Sequence, residues 1–120
     1  MEQYNYYKEN AWWVSPYNDE PEVLKSMSKP AKVEIHDATL RDGEQTPGVV
    51  FTADDKIRIA EKLEEVGIER IEAGMPAVST QDFEAIKAIT KRNLNAKVFT
   101  FARAVRKDVD MAVDCGADGV

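Results

Sequence analysis

Apolar residues after position 32 follow two alternating patterns, short runs rich in Val, Ile and Phe and longer stripes with helical spacing. The runs predict three strands, Val33–Leu40, Ile68–Gly74 and Lys97–Ala102, because short β-branched and aromatic segments are typical of strands. Asp118–Val120 predicts the start of a fourth strand.

A helical pattern follows each predicted strand. Thr52 with Asp55, and Ser79 with Asp82, have the spacing that begins a helix, and Arg106–Cys115 predicts a third helix. The apolar stripes are Ile59, Leu63 and Val66, then Phe83, Ile86 and Ile89, then Val109 and Val113. Strands that alternate with helices predict an α/β protein with a parallel sheet. The periodicity fits an opened barrel or a doubly wound sheet.

Residues 1–31 differ from the rest of the chain in composition. They hold six of the ten aromatic residues, Tyr4, Tyr6, Tyr7, Trp12, Trp13 and Tyr17. Pro16, Pro21 and Pro30 interrupt any periodicity. We expect an irregular arm whose rings pack on the main domain. The alternative is an arm that exchanges with another subunit or covers a substrate entrance.

The charge and the cysteine content of the chain indicate which partners and which cell compartment to expect. The 120 residues contain 16 basic and 22 acidic side chains, a net charge of −6, so we expect neither nucleic acid nor an anionic membrane as a partner. No apolar run approaches the ~18 residues of a membrane helix, and no signal segment begins the chain. The single cysteine, Cys115, predicts a buried small hydrophobe in a cytoplasmic protein without disulfides.

The stretch from His36 to Gly48, H-D-A-T-L-R-D-G-E-Q-T-P-G, is the best candidate for a functional site. Arg41 and Asp42 end the first predicted strand, and Gly43 can turn the chain by adopting a positive φ. The carboxyl ends of neighbouring parallel strands would place them near Glu72 and Arg103 on one rim. The alternative is a structural ring of ion pairs.

Two motifs carry a resemblance to a known family. The run D-A-T-L-R-D-G-E-Q and the later I-E-A-G-M-P-A-V-S resemble the metal-dependent Claisen-type enzymes built on a TIM barrel. These include 2-isopropylmalate, homocitrate and citramalate synthases, 3-hydroxy-3-methylglutaryl-CoA lyase and the pyruvate carboxyltransferase domain. The resemblance covers roughly Lys32 to Val120.

The resemblance implies the N-terminal part of a (β/α)8 TIM barrel. We expect an arm at residues 1–31, then a truncated catalytic domain at 32–120 with three strand–helix units and the start of strand four. A complete barrel needs about 250 residues, so we expect a fragment that is inactive by itself. An open sheet edge also predicts a homo-oligomer.

For the site, the resemblance implies that Asp42 is a ligand of a divalent metal, Mg, Mn or Zn. The other ligands would be two histidines of an H-x-H pair, which this chain lacks. Its one histidine, His36, is interpreted as a strand residue. Arg41 would stabilise the developing enolate and alkoxide. The alternative for Arg41 is a salt bridge to Asp37, Asp42 or Glu72.

Three further residues receive roles from the same resemblance. Glu72 would orient Arg41 or hold substrate, and its charge would depend on those neighbours. Gln45 would lie near the 2-oxo acid, or else cap its own loop through its amide. Arg103, in F-A-R-A, would receive the carboxylate of the 2-oxo acid, or else be a solvated arginine at the rim.

The resemblance implies an acyltransferase that condenses acetyl-CoA with a 2-oxo acid, converting the acyl group into an alkyl group on transfer, in amino-acid biosynthesis. One alternative is an acyl-CoA lyase or carboxyltransferase of the same family. A second alternative is a non-catalytic half-barrel that self-associates. The sequence does not indicate which 2-oxo acid is used.

Overall fold

The computed structural model describes residues 6–27 and 32–120, and the chain divides after Val33 into two compact units. In the first unit, β1 (Tyr7–Lys8) pairs antiparallel with β2 (Trp12–Trp13). A 3-10 turn, Pro16–Asp19, and helix α1, Pro21–Ser26, follow. These elements are two to six residues long, and the irregular arm at residues 1–31 stays a prediction. Tyr4 and Pro30 lie outside the described residues.

The second unit contains a parallel sheet of three strands. These are β3 (His36–Asp37), β4 (Arg70–Glu72) and β5 (Lys97–Phe99), in the order β3-β4-β5. An isolated parallel bridge joins Phe99 to Gly119 in the segment predicted to begin another strand. The predicted α/β class with a parallel sheet is confirmed.

Each strand of this sheet is followed by a helix, α2 (Ala53–Glu65), α3 (Thr80–Thr90) and α4 (Arg106–Asp114). Thr52 and Asp55 form both halves of a capping box at the start of α2, which satisfies backbone donors that the helix cannot satisfy itself. The Ser79 side chain accepts the amide hydrogen of Asp82 at the start of α3. Local hydrogen bonding thus explains why both helices begin where the sequence predicts.

The hydrophobic core lies between the parallel sheet and the helices that pack on it. Its buried members are Leu40, Ala60, Ile71, Ala73, Ile86, Ile89, Ala96, Val98 and Cys115. Cys115 is 1% exposed, and burial raises the pKa of its thiol to about 11. The thiol therefore stays protonated near neutral pH, which agrees with the prediction of a small buried hydrophobe.

The predicted stripe of the last helix is wrong. Val113 is 67% exposed and Val109 is also exposed, whereas Asp108, Ala112 and Cys115 are buried. These buried positions are spaced by four and three residues, so α4 packs through a neighbouring face of the same helix.

The strands are shorter than predicted, most clearly at β3, which covers only part of Val33–Leu40. The Asp37 carboxylate accepts the Thr39 amide hydrogen at 2.9 Å, and the Ala38 carbonyl accepts three amide hydrogens of the following turn. Backbone groups that bond within a turn are unavailable to a neighbouring strand, so pairing stops after Asp37.

Within residues 6–27 and 32–120, no helix is long and apolar enough to cross a membrane.

Candidate active site

The loop after β3 places the first motif at the carboxyl end of the strand. The Ala38 carbonyl accepts the amide hydrogens of Arg41, Asp42 and Gly43 at 2.8–3.2 Å, and residues Gly43–Gln45 form a 3-10 turn. The turn therefore does not depend on a positive φ at Gly43, which is not among the positive-φ glycines. That expectation is corrected, and the positive φ of this loop occurs at Gly48, with φ 87°.

Arg41 and Glu72 bring the two sequence motifs into contact. Arg41 Nε lies 3.0 Å from Glu72 Oε1, and both side chains are mostly buried. The N–H of this nitrogen is buried and does not point at an acceptor, so the contact is an ion pair without a well-aligned hydrogen bond. The guanidinium also lies over the Phe101 ring, 5.1 Å from its centroid, which favours a cation.

Asp42 is the most open of the acidic groups in this loop. Its side chain is 71% exposed, and Oδ1 lies 3.2 Å from Arg41 Nη1. In the part of the chain that the structure describes, no group of three or more His, Cys, Asp or Glu side chains is arranged to hold a metal ion. An exposed carboxylate suits one position of a hard divalent cation, but the described residues do not provide a complete set of ligands.

His36 lies at the edge of the same group of side chains. Its Nε2 atom is 4.0 Å from Glu72 Oε2, and its ring meets Phe99 in an edge-on contact with centroids 5.4 Å apart. Arg70 also contacts Phe99, since its guanidinium carbon lies over the ring, 5.5 Å from the centroid. The side chains therefore form a continuous group of charged and aromatic residues, and His36 contacts Glu72 rather than Asp42.

Gln45 and Arg41 line one cavity of about 400 Å³ at this end of the sheet. The remaining lining residues are Glu44, Val49, Val50, Gly74, Met75, Val78 and Asp82. The structure thus brings Gln45 to the same cavity as Arg41, next to several apolar side chains.

Arg103 has a different environment. It donates from Nε to Asp108 Oδ2 at 2.7 Å and from Nη2 to Asp108 Oδ1 at 3.1 Å. This hydrogen bond and the Arg103 charge lower the pKa of Asp108. Arg103 lines a second cavity, of about 500 Å³, with residues of α3 and α4. The structure therefore places Arg103 on another cavity than Arg41 and Gln45.

Sequence reasoning missed Lys56, which is 2% exposed although it is a lysine in α2. Its Nζ atom lies 2.7 Å from Glu44 Oε2 and 2.6 Å from Asp82 Oδ1. One signal was available, because Lys56 precedes the buried Ala60 by four residues and so lies on the inward stripe of α2. A lysine on such a stripe indicates a buried partner.

The chain belongs to the HMGL-like family, whose sequence profile matches residues 32–120. The assignment made from the two motifs is thereby confirmed.

Several curated relatives are synthases. The chain is 49% identical over 108 residues to the 2-isopropylmalate synthase of Methanocaldococcus jannaschii, covering 87% of this chain and 21% of that protein. It is 45% identical over 109 residues to the homocitrate synthase AksA of Methanothermobacter thermautotrophicus, covering 91% and 27%. A putative (R)-citramalate synthase of Methanopyrus kandleri is 52% identical over 99 residues, covering 82% and 19%. The chain therefore spans about a fifth to a quarter of the length of these relatives.

Proposed function

We propose that this chain is the N-terminal part of an acyltransferase that condenses acetyl-CoA with a 2-oxo acid. The observation that carries the proposal is the contact of Arg41 with Glu72 beside the open Asp42 carboxylate. The relatives described above are named as synthases of this kind, which favours transfer over the lyase, carboxyltransferase and half-barrel alternatives.

Arg41 would stabilise negative charge on oxygen. In the proposed reaction, the methyl carbon of acetyl-CoA gives a proton to a base and attacks the keto carbon of the 2-oxo acid. The alkoxide that results takes up a proton, and one water molecule then hydrolyses the thioester and releases CoA. Oxygen atoms carry the developing charge both in the enolate and in the alkoxide. A fixed guanidinium that is largely withdrawn from water lowers the free energy of both states.

Glu72 would hold that guanidinium in place. Its carboxylate is mostly buried and contacts Arg41, and Glu72 is fixed by β4, so it restrains the guanidinium that the loop after β3 carries. A preorganised charge does not have to reorient during the reaction, and this is the main source of electrostatic catalysis. Glu72 therefore acts here through Arg41, in addition to any contact with substrate.

Asp42 would supply one ligand of a divalent metal, Mg, Mn or Zn, and the remaining ligands would come from outside this chain. Such a cation, when bound, polarises carbonyl oxygens as a Lewis acid. We propose Gln45 as a neighbour of the 2-oxo acid, because it shares a cavity with Arg41. Arg103 would bind a substrate carboxylate, with Asp108 orienting its planar fork.

The proposal includes the architecture of the complete protein. The sheet and helices of residues 36–120 would be the first part of an eight-stranded barrel, as the resemblance of the two motifs implies. The parallel sheet of the described residues has three strands, and such a barrel needs eight. We propose a cytoplasmic homo-oligomer with small-molecule substrates.

Release of free CoA by the full-length protein tests the proposed function. The assay would supply acetyl-CoA and a divalent cation with pyruvate, 2-oxoisovalerate and 2-oxoglutarate in turn, and a thiol reagent would report CoA. We expect release that depends on one of these acids, with acetyl-CoA alone as the control. Absence of release with all three acids would contradict the proposal. Formation of acetyl-CoA from a 3-hydroxyacyl-CoA supplied alone would support the lyase alternative.

A further inference from the structure

Lys56 is a buried cation for which the proposed chemistry has no use. It lies in α2, is 2% exposed, and contacts two carboxylates, Glu44 at 2.7 Å and Asp82 at 2.6 Å. Burial of an ammonium group away from water is costly unless acceptors replace the lost hydration. The two carboxylates supply those acceptors, so they replace the water that the Lys56 ammonium group loses on burial.

The two partners of Lys56 belong to different parts of the fold. Glu44 lies in the 3-10 turn that follows Arg41 and Asp42, and its other oxygen accepts the Phe51 amide hydrogen at 3.4 Å. Asp82 lies in the first turn of α3, where it also accepts a hydrogen bond from the Ser79 hydroxyl at 2.6 Å. Lys56 therefore connects the motif loop to two helices of the scaffold.

Lys56 and Asp82 both stay charged near neutral pH. Burial acts to lower the pKa of Lys56, but the hydrogen bonds and charges of Asp82 and Glu44 outweigh it and raise the pKa above its usual value. Burial acts to raise the pKa of Asp82, yet hydrogen bonds from Lys56 and Ser79 lower it overall. Lys56 and Asp82 thus remain ionised across the range in which an enzyme would work.

Stability alone is a weak explanation for such a group. Well-packed apolar side chains of similar volume often stabilise a protein as well as a buried ion pair does. A buried ionic contact does, however, fix one geometry, because a displaced carboxylate would leave the ammonium unpaired. The geometry fixed here is that of the loop that carries Arg41, Asp42 and Gln45.

We infer that Lys56 is a positioning residue, which holds Glu44 and thereby the loop from Arg41 to Gln45 against the α2 and α3 scaffold. This inference rests on the proposed function for its catalytic consequence. Small displacements of catalytic groups, on the order of 1 Å, can lower a rate about a hundredfold. A loop released from Lys56 should therefore lose turnover while its helices stay folded.

The test uses three variants of the full-length protein. Lys56→Met removes the cation, but it leaves two carboxylates unpaired and can unfold the protein. Glu44→Gln is the second variant, since it weakens only the link to the loop and leaves the Lys56–Asp82 pair in place. Lys62→Met is the matched control, because Lys62 lies on the same helix with an exposed side chain paired to Glu65.

Two measurements separate positioning from a general loss of stability. Hydrogen exchange reports the opening of individual segments, and steady-state kinetics report kcat and KM separately. For Glu44→Gln we expect the amides of residues 41–50 to exchange about tenfold faster while those of α3 keep their rates. We also expect kcat to fall by about tenfold or more, with KM for acetyl-CoA changed less than about twofold. Lys62→Met should change neither quantity.

The inference would be overturned by unchanged exchange in residues 41–50, or by equal acceleration in the loop and in α3, because both results indicate a purely structural lysine. An active Glu44→Gln variant with wild-type kcat would also overturn it. If the unsubstituted protein releases no CoA with any 2-oxo acid, the proposed function fails, and hydrogen exchange alone still decides whether Lys56 holds the loop.

Discussion

Arg41 Nε lies 3.0 Å from Glu72 Oε1, although the two residues belong to separate sequence motifs, Arg41 in the loop after β3 and Glu72 at the end of β4. The parallel pairing of β3 with β4 brings these motifs together. The contact is short but its N–H is not aligned with the acceptor, so Coulomb attraction rather than a directed hydrogen bond holds it. Among the described residues, Arg41 Nε therefore has no aligned acceptor, while Nη1 lies 3.2 Å from the open carboxylate of Asp42.

We predict that Arg41→Lys lowers kcat of the full-length protein by about 10²–10³-fold, since removal of one donor at an oxyanion has an effect of this size. Lysine keeps the positive charge but loses the planar fork that reaches Glu72 and Asp42 together. CoA release measured with saturating substrates checks this. Arg92→Lys is the control, because Arg92 is a half-exposed arginine 3.6 Å from Glu61. A kcat within twofold of wild type for Arg41→Lys would contradict the assigned role.

Metal removal gives a prediction for Asp42. We expect Asp42→Asn to weaken Mn²⁺ binding by the full-length protein by at least about tenfold, because a neutral amide replaces a charged oxygen ligand. Calorimetric titration of Mn²⁺ checks this, and a chelator should abolish CoA release by the wild type. Asp54→Asn, on the outer face of α2, should leave Mn²⁺ affinity unchanged. Equal affinities in Asp42→Asn and wild type would show that Asp42 is not a ligand.

The helices were predictable because their signals are local. Thr52 and Asp55 are three residues apart, and the capping box they form involves only side chains and amides within one turn. The ends of the strands depend instead on distant backbone groups and on turn hydrogen bonds, such as those accepted by Ala38. For this reason the strand positions agree with the sequence prediction and their lengths do not.

Part of the candidate site could also be predicted from sequence. The motifs indicated that Arg41 and Glu72 would meet, because both lie at the carboxyl ends of adjacent parallel strands. The partners of Lys56 could not be predicted, since Glu44 and Asp82 come from a loop and a helix whose packing is a tertiary property. The position of Arg103 depends on Asp108, five residues further along the chain, and no periodicity indicates that pair.

Gly119 provides a stability prediction. A Cβ added there would overlap Phe99 Cε1 and lie 2.7 Å from Cδ1, and the ring cannot move freely because it contacts His36 and Arg70. We expect Gly119→Ala to lower the free energy of unfolding by about 1–3 kcal/mol, the usual cost of overpacking. Urea titration checks this.

The matched control for Gly119 is Gly43→Ala. An added Cβ at Gly43 would meet Thr39 Cγ2 at 3.6 Å, an ordinary contact, so the free energy of unfolding should change by less than about 0.5 kcal/mol. In the background of Phe99→Leu, the effect of Gly119→Ala should shrink. An unchanged urea midpoint for Gly119→Ala would contradict the close packing of Phe99 on Gly119.

The Lys56–Asp82 pair predicts how stability depends on pH. The folded-state pKa of Asp82 is lowered, so its contribution is present above the unfolded value of about 3.9 and is lost as the pH falls through the folded pKa. The folded-state pKa of Lys56 is raised, so its contribution is present below about 10.4 and is lost as the pH rises through the folded pKa. We therefore expect the stability that this pair contributes to be greatest between about pH 4 and pH 10.

Lys56→Met should change how the free energy of unfolding depends on pH below neutral pH. Without the Lys56 hydrogen bond, burial would raise the pKa of Asp82. The folded state would then bind the Asp82 proton more readily, so the loss of stability that Asp82 causes on acidification would shrink or disappear. Urea midpoints measured from about pH 3 to pH 7 check this for wild type, Lys56→Met and the exposed control Lys62→Met. Parallel profiles for Lys56→Met and wild type would show that Lys56 does not govern the charge of Asp82.

The central claim is that Arg41 and Glu72 act on the reacting molecule as one unit, and a double-mutant cycle on kcat/KM tests it most directly. The cycle compares Arg41→Lys, Glu72→Gln and the double variant in CoA release with the preferred 2-oxo acid. Residues that contact each other couple by about 0.5–3 kcal/mol, whereas independent sites add. If Arg41 and Glu72 act as one unit, the double variant should lose little more kcat/KM than the more damaged single variant. Losses that add in full would contradict it.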